Sequence, residues 1–523
     1  MAKSPESQGL LDPKFQSTTD RVVTPKRCNA RRFIRAILWV AVPVLIFFSF
    51  FGGKTVLPKF VCVLPLPLPL PASAPPSSTI KLSSRLTPAK GRPCHGASSD
   101  LQSPSLQSPD AICGTSFQTI LDDSYPVSFS PSDDLFINQS QGKRRRGHWR
   151  RDPHVSGSVQ VIRSSGPEGK LDVKIEVNDE DIPVHTSWDA ETQYLRIRVE
   201  GVDFFDEPPP RPCVDIHAVL HVPSDAELRN LKIEVTALDV ALEENLGLTA
   251  EETILTTVVG SLDVAPNAIK SGDRIALTTV SGNIRGSLPL LQTLESFSAS
   301  GKNEIDVYRT EKRGDDIPKA TLTVSTVSGN LKVRDPLDHA AHLPKADYVR
   351  RVSTVSGNID AALLFGSYAD ISAVGGGRVD TTLLPILFDS LSGNDEGERG
   401  DEDFVHSWLK SDVTSGNVGI EVLEPVWLGE SDKKWALRSG HGGVSGNVEI
   451  RLPDAWEGTF AVGTLTGRIS VSGKDVQLGT RQEGGEKVDK SAFRSIRGYK
   501  GDGESRLSAE TTTGNIKVVI GQE

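Results

Sequence analysis

The stretch LTTVSGNIRG, residues 277–286, is one copy of a cassette in which a Ser-Gly-Asn triplet separates β-forming residues. The cassette returns as STVSGNLKV from 325, STVSGNIDA from 353, TSGNVGI from 414 and GVSGNVEI from 443. Glycine adopts backbone conformations that a Cβ forbids, and asparagine is the other residue that best tolerates the left-handed region. Each triplet therefore predicts a corner between two strands.

Five triplets form the set of predicted structural corners. They are Ser281, Gly282, Asn283, Ser328, Gly329, Asn330, Ser356, Gly357, Asn358, Ser415, Gly416, Asn417, Ser445, Gly446 and Asn447. The apolar neighbours of the triplets are expected to point inward. These are Val280 with Ile284, Val327 with Leu331, Val355 with Ile359, and Val444 with Val448. Stacked corners would bring equivalent asparagines together, where their amides can form hydrogen-bonded ladders.

The spacing of the triplets indicates the kind of repeat. With a sixth copy at Ser392, the intervals are 47, 28, 36, 23 and 30 residues. They are too uneven for a propeller, whereas the shortest fits one coil of a β-solenoid with insertions on other coils. We therefore expect an all-β, solenoid-like repeat domain over residues 155–523. The alternative is that Gly-Asn makes two-residue hairpin turns, which would give antiparallel meanders.

The cassettes, preceded by AVLHVPSDAELRNLKIEV at residues 218–235, resemble the putative-adhesin family, a domain of unknown function. The resemblance covers roughly residues 213–523. It implies a right-handed β-solenoid-like fold and an adhesin role, and it brings no catalytic or binding residues. The chain departs from the family in its uneven spacing and in insertions such as DSLSGNDEGERGDEDF from 389.

Charge and hydropathy divide the chain. The net charge is -10, yet the first 35 residues hold eight Lys or Arg against three acidic residues. The acidic remainder argues against nucleic-acid binding, which needs a basic face. Residues 33–51 are almost entirely apolar and would span about 28 Å as a helix, close to the thickness of a bilayer core.

This run predicts an uncleaved transmembrane signal anchor at 33–53. Because most nearby Lys and Arg precede the run, residues 1–32 are expected to be a basic cytoplasmic tail, with the rest lumenal or extracellular. The alternative is a signal peptide cleaved after the small-residue ASA at 72–74. The sequence fits an internal membrane and the plasma membrane equally.

Residues 54–154 are expected to be a disordered stalk, because residues 58–109 contain eleven prolines and many serines. Cys94 and Cys113 are expected either to pair with each other or to remain free thiols. Asn138 lies in the only glycosylation sequon. A basic cluster, formed by Lys143, Arg144, Arg145 and Arg146, resembles a processing-protease site; the alternative is an uncut, solvated charge run.

Catalytic chemistry is not expected at the triplets, because a nucleophilic serine needs a neighbouring base and most copies lack histidine. His217 and His221 lie too far apart on a strand to share an ion, and the acidic run at 395–403 is expected to be solvated. Five tryptophans are expected to pack rather than to form carbohydrate platforms: Trp188, Trp408, Trp427, Trp435 and Trp456. No cofactor or metal is expected.

Together these features predict a single-pass membrane protein that presents a non-enzymatic, adhesin-like repeat domain to glycans or proteins. One alternative is a lumenal polysaccharide-active enzyme, which would need carboxylates at matched positions of neighbouring coils. The cassettes instead place Arg285, Lys332 and Asp360 at that position. The other alternative is a tethered scaffold.

Overall fold

The computed structural model describes residues 113, 116–142, 150–203, 211–290, 292–308, 319–389, 391, 403–479 and 494–521. All of them belong to the unit formed by residues 100–523. This part of the chain is all-β apart from a 3-10 helix at Leu337–His342 and a helical conformation at Cys113. None of its helical segments has the length and apolar character that crossing a bilayer requires. The predicted tail and signal anchor lie outside the described residues.

Nearly all strands belong to two sheets. Sheet A contains β1 Gln118–Val127, β4 His154–Arg163, β5 Gly169–Val177, β9 Cys213–Val222, β11 Asp239–Leu242, β13 Leu262–Val264, β16 Ile284–Pro289, β18 Asn303–Tyr308, β20 Leu331–Arg334, β22 Ile359–Phe365, β24 Gly377–Leu387, β28 Val448–Leu452, β30 Ile469–Gly473 and β34 Ile516–Ile520. Sheet B contains β2 Asp134–Gln141, β6 Val184–Asp189, β7 Tyr194–Val199, β10 Glu227–Val235, β12 Leu248–Thr257, β14 Ile269–Ser271, β15 Arg274–Thr279, β17 Thr293–Ser300, β19 Lys319–Ser328, β21 Asp347–Ser356, β23 Tyr368–Gly375, β27 Lys434–Ser445, β29 Gly458–Thr466, β31 Gln477–Leu478, β32 Arg494–Lys500 and β33 Ser505–Thr513.

A few strands stand apart from this division. The long strand β25, Phe404–Val422, runs through a corner and pairs in both sheets. The short β3, Arg150–Arg151, pairs with β8, Val202–Asp203, in a separate two-stranded sheet. The two-residue β26, Val426–Trp427, pairs with the end of β24.

The repeat is a stack of coils, where a coil is one strand of sheet B, a corner and one strand of sheet A. Strand β19 pairs in parallel with β17 and β21, while β20 pairs in parallel with β18 and β22. The two strands that flank a triplet thus lie in different sheets. Gly-Asn hairpin turns are therefore excluded at the described triplets, because a hairpin would pair these strands with each other.

The core lies between the sheets. Strand residues alternate between the core and the outer surface, as the twofold periodicity of a strand requires. In one coil Leu322, Val324, Leu331 and Val333 are at most 2% exposed. Since each coil contributes only a few such side chains, most of the burial comes from stacking on neighbouring coils.

The N-terminal end of the stack corrects the predicted extent of the stalk. Strands β1 and β2 fall inside residues 54–154, which were expected to be disordered, and β2 pairs in parallel with β7 and β10. Leu135 and Ile137 of β2 are at most 1% exposed. The alternating DLFINQSQ of β2 buries apolar surface that the Pro/Ser-rich stretch before it lacks, so this segment is part of the folded repeat.

A disulfide corrects the predicted pairing of the cysteines. Cys113 is bonded to Cys213, the first residue of β9, across a sequence separation of 100. The Asn178 side chain reinforces this junction. Its Nδ2 donates to the Cys113 carbonyl at 3.0 Å, and its Oδ1 accepts from the Cys213 N–H at 2.7 Å. Proximity in the fold, which sequence distance does not reveal, selects the partner.

The order of coils in the stack differs from their order in the chain. Strand β33 lies between β27 and β29, and β34 lies between β28 and β30. The last coil in sequence is therefore inserted between two earlier ones. On the side of β29 away from β33, strand β32 pairs antiparallel with β29 and covers this edge of sheet B. Covered edges prevent the open strand pairing that promotes aggregation.

Candidate binding surfaces

A column of glycines runs through the corners. In stacking order its members are Gly260, Gly282, Gly301, Gly329, Gly357, Gly377, Gly416, Gly446, Gly514 and Gly467. A Cβ at any of them would lie between 1.7 and 2.1 Å from a backbone carbonyl oxygen of the preceding coil. Real atoms do not approach so closely, so glycine is required because coils touch backbone to backbone at this corner.

This column includes corners that the triplet pattern misses. Gly301, in the stretch SASGKN, lies inside the 47-residue interval, and Gly377, in GGGRVD, lies between the triplets at Ser356 and Ser392. Gly157, in VSGS, also lies against a neighbouring backbone, 1.9 Å from the Ile216 carbonyl oxygen to an added Cβ. A search for Ser-Gly before any polar residue would have found the first and third. Ser392 lies outside the described residues.

The residue after each glycine forms a second, exposed column. In three places the asparagines of two neighbouring coils are adjacent in the stack. Oδ1 of one then accepts a hydrogen bond from the backbone N–H of the other. These bonds join Asn358 to Asn330 at 3.1 Å, Asn447 to Asn417 at 3.3 Å and Asn515 to Asn447 at 3.2 Å. In each pair the Nδ2 group also donates to the same oxygen, at 3.1 to 3.2 Å. The predicted amide ladder is thus present at these corners.

The conformation expected for these asparagines is wrong. None of the described triplet asparagines has a positive φ, whereas Asn245 and Asn267, at a different turn, have φ of 58° and 56°. The triplet asparagine precedes the strand of sheet A directly, so its backbone is already committed to the extended strand. What the copies share is a hydrogen bond in which the asparagine Oδ1 accepts a backbone N–H of the next coil.

The residues before the triplet also correct an expectation. Val280, Val327, Val355 and Val444 were expected inside, but they face outward, and Val444 is 53% exposed. The threonine before the valine is buried instead, as at Thr279, Thr326 and Thr354. Thr279 Oγ1 donates to the Gly260 carbonyl at 3.1 Å, which satisfies a backbone group at the corner. The predicted inward positions of Ile284, Leu331, Ile359 and Val448 are confirmed, each at most 7% exposed.

Charged side chains form a row on the outer face of sheet A. Register places Asp263, Arg285, Glu304, Lys332, Asp360, Asp380, Gly419, Glu449 and Lys517 side by side. Asp360 and Asp380 are therefore carboxylates at matched positions of neighbouring coils, contrary to expectation. The sequence hides this because GGGRVD does not look like a cassette.

A groove of about 370 Å³ opens where Gly419 interrupts this row. Asp380 and Glu449 flank it, and Asn417, Asn447 and Asn515 line its corner side. The Arg451 guanidinium, which donates to Glu449 at 2.8 Å, holds the pKa of that carboxyl below its usual range, with Lys517 adding to the effect. The Glu449 carboxylate is therefore ionised at neutral pH and can accept hydrogen bonds.

The outer face of sheet B carries an aromatic and cationic row. Register aligns Tyr368, Trp408 and Arg438 on three neighbouring strands. The Arg438 guanidinium lies 5.0 Å from the Trp408 ring centroid, and that of Arg351 lies 5.7 Å from the Tyr368 ring. Burial raises the pKa of Tyr368 to about 12, with Asp370 contributing. Trp408 is 40% exposed, whereas Trp435 and Trp456 are buried as expected.

The remaining predicted positions have separate environments. Asn138 is half-buried in β2, in register with Arg196 and Glu234. His217 Nε2 lies 2.9 Å from Asp215 and His221 Nε2 lies 2.9 Å from Asp172, so each histidine has its own carboxylate. Among the described residues no group of three or more His, Cys, Asp or Glu is placed to hold a metal ion. The basic cluster at Lys143–Arg146 and residues 395–402 of the acidic run lie outside the described residues.

Comparison with known proteins gives no family. No protein-family model matches the chain, and no curated protein matches it. A solved "putative cell adhesion protein" from Clostridium sporogenes is similar at 8% identity and a TM-score of 0.14, over 77% of this chain and 100% of that one. A "putative adhesin" from Parabacteroides merdae is similar at 12% identity and a TM-score of 0.23, over 65% and 97%. Likeness at these TM-scores transfers no function to this chain.

Proposed function

We propose that this chain is a single-pass membrane protein presenting a non-enzymatic, adhesin-like domain with a right-handed β-solenoid fold outside the cytoplasm. The observation that supports binding most strongly is the row of Tyr368, Trp408 and Arg438 on the outer face of sheet B. Tyr, Trp and Arg are the residues that most often dominate binding energy at interfaces. Parallel in-register strands present them as a flat surface for an extended ligand.

The corner triplets support a structural rather than a catalytic role. The Asn447 Oδ1 accepts from the next coil while its N–H and Nδ2 donate to the preceding one, so its hydrogen-bonding groups serve the stack. Ten glycines make the same close approach, and such repetition suits a scaffold. A scaffold of this kind can carry binding groups on its outer faces.

Membrane attachment and topology are supported by the sequence and by one covalent bond. The apolar run at 33–51 follows a cluster of basic residues, which favours a cytoplasmic N-terminus. The disulfide between Cys113 and Cys213 suits an oxidising lumen or exterior.

The experiment is protease treatment of intact cells that express the full chain with a C-terminal tag, combined with adhesion of the same cells to immobilised polysaccharides and to protein-coated surfaces. We expect the tag to be digested from outside and adhesion to exceed that of cells expressing residues 1–112 alone. A tag protected until internal membranes are opened would refute surface display. Equal adhesion of both cell populations would refute the adhesin-like role.

A polysaccharide-active enzyme is the second candidate, because Asp380 and Glu449 face each other across Gly419. Their Cα atoms are two strand spacings apart, about 9.6 Å. Most glycosidases use a pair of carboxylates that flank the scissile bond. Release of new reducing ends from a polysaccharide by the wild-type chain, abolished in Asp380→Asn, would favour catalysis over adhesion.

A further inference from the structure

The aromatic row on sheet B ends beside a bare stretch of strand β27. Gly440 and Gly442 both occupy outward positions, between Arg438 and Val444. No atom lies within 4 Å of the point where a Cβ of Gly440 would be, so the space above this glycine is open. At Gly442 the Asp412 Oδ1 atom lies 3.0 Å from the corresponding point, so a depression is open over Gly440 and the Asp412 carboxylate borders it at Gly442.

The side chains of the two neighbouring strands wall this depression. Register places Lys410 and Ser508 on either side of Gly440, and Asp412 and Glu510 on either side of Gly442. The walls are two strand spacings apart, about 9.6 Å between Cα atoms. We call this feature the trough: Gly440 and Gly442 as floor, with these four residues as walls and with Trp408 and Arg438 at one end.

The trough combines polar side chains in its walls with an aromatic side chain at its end. Each wall carries a donor and an acceptor: Lys410 with Asp412, which form an ion pair, and the Ser508 hydroxyl with the Glu510 carboxylate. The floor is backbone, and Trp408, 40% exposed, adds an aromatic surface at the end. An apolar surface flanked by a few polar groups is typical of small-molecule sites.

Resting on the adhesin-like function proposed above, we infer that the trough binds a neutral, β-linked glycan. Pyranose rings have flat C–H faces and hydroxyls around their edges. The faces lie on the glycine floor and against Trp408, while the edge hydroxyls donate to Asp412 and Glu510 and accept from Lys410 and Ser508. An extended β-linked chain suits a flat floor. The internal pairing of Lys410 with Asp412 leaves that wall without net charge, and the charge of Glu510 is offset by Arg438 at the end of the trough.

The length of the trough sets the size of the ligand. From Arg438 to Val444 the strand rises roughly 20 Å at about 3.3 Å per residue. The side chains at both ends and the Asp412 carboxylate beside Gly442 occupy part of this length, so the open floor accommodates one or two sugar rings.

The test is calorimetric titration of the full-length chain in nanodiscs with cellohexaose, chitohexaose and laminarihexaose, with polygalacturonate as an anionic comparison. Two variants attack the trough independently: Trp408→Ala removes the aromatic surface, and Gly440→Gln fills the floor where an added side chain meets nothing. Thr323→Gln, in the same register row on β19, is the matched control. Melting temperatures confirm that each variant is folded.

We expect at least one neutral hexasaccharide to bind, with affinity reduced tenfold or more in both trough variants and unchanged in Thr323→Gln. Binding that survives both trough variants would overturn the trough assignment. Binding of polygalacturonate alone would overturn the choice of a neutral glycan. If no glycan binds but expressing cells still adhere to a protein surface, the glycan inference fails while the adhesin-like function stands; loss of both would refute both.

Discussion

At the scale of single residues, the corners are specified by contacts between coils more than by local conformation. Gly357 and Gly446 have φ of +152° and +122°, which disfavour other residues on their own. The closer constraint is the neighbouring coil, since a Cβ on Gly357 would lie 1.8 Å from the Gly329 carbonyl oxygen. Contacts between coils also hold two buried threonines: Thr257 and Thr279, beside Gly260 and Gly282, donate hydrogen bonds to the carbonyls of Leu238 and Gly260.

Replacing a column glycine should therefore be far more harmful than replacing a glycine on the open face. We expect Gly357→Ala to lower the free energy of unfolding by about 3 kcal/mol or more, through overlap and backbone strain. Gly440→Ala, where the space is open, should change it by less than about 0.5 kcal/mol. Chemical denaturation of both variants measures the difference, and equal effects would show that the coils do not meet at the glycine column.

A buried histidine makes stability depend on pH. Burial lowers the pKa of His441 to about 4, and Ser411 Oγ lies 2.8 Å from its Nδ1. The unfolded chain binds a proton near pH 6.5, so between these values the unfolded state takes up more protons and stability falls as the pH falls. From pH 7.5 to pH 5 the loss from this group should be about 2 kcal/mol.

Urea denaturation of the wild type and of His441→Gln at the two pH values isolates this contribution. The variant has no titrating group at this position, so its stability should fall less on acidification. A pH dependence identical to that of the wild type would mean that His441 does not remain neutral in the folded state.

At the scale of elements, the N-terminal strands close one end of the stack. Strand β5 pairs antiparallel with both β1 and β9, and the hairpin β6–β7 pairs onto β2. The disulfide links Cys113, at the start of this region, to the first residue of β9, next to the hydrogen bonds of Asn178. Such end structures are required because a stack of coils otherwise exposes unpaired strand edges.

The disulfide should contribute strongly to the stability of this end. Its loop of 100 residues restricts the unfolded chain by an amount worth about 4–5 kcal/mol. We expect Cys113→Ser to lower the denaturation midpoint and to abolish its sensitivity to reductant. Cys94→Ser is the matched control and should leave both unchanged. A lower midpoint for Cys94→Ser, with no change for Cys113→Ser, would indicate that Cys94 is the native partner of Cys213.

At the scale of the whole molecule, the insertion of the last coil makes folding of the C-terminal region depend on the chain end. Among the strands that the structure describes, β29 and β30 pair with the stack only through β33 and β34, which are later in sequence. A solenoid built strictly in chain order would lose one terminal coil on truncation. Here β33 and β34 instead lie between two coils that precede them in sequence.

Deleting residues 505–523 should consequently disorder more than the deleted part. We expect backbone amides of β29 and β30 to lose protection against hydrogen exchange, because their parallel partners are gone. Amides of β17–β22, several coils away, should keep their protection and serve as the internal reference, since coils interact mainly with nearest neighbours. Protection of β29 and β30 that survives truncation would contradict the inserted arrangement.

The sequence alone determined the all-β class, the corner positions of the triplets, the inward positions of Ile284 and its equivalents, and the amide ladder. All of these follow from local chemistry: alternation, glycine at corners and amides that can bond to their copies. The corners at Gly301 and Gly377 escaped because their neighbours are Lys302 and Arg378 in place of asparagine.

Only the tertiary structure decided the features that depend on contacts distant in sequence. Whether threonine or valine faces the core depends on the exact residue at which the chain switches sheets, since a shift of one position reverses every side chain. The partner of Cys113, the inclusion of β2 and the place of the last coil depend on which strands meet. The trough also depends on which strands meet. Gly440 forms a floor because register places the side chains of Lys410 and Ser508 on either side of it.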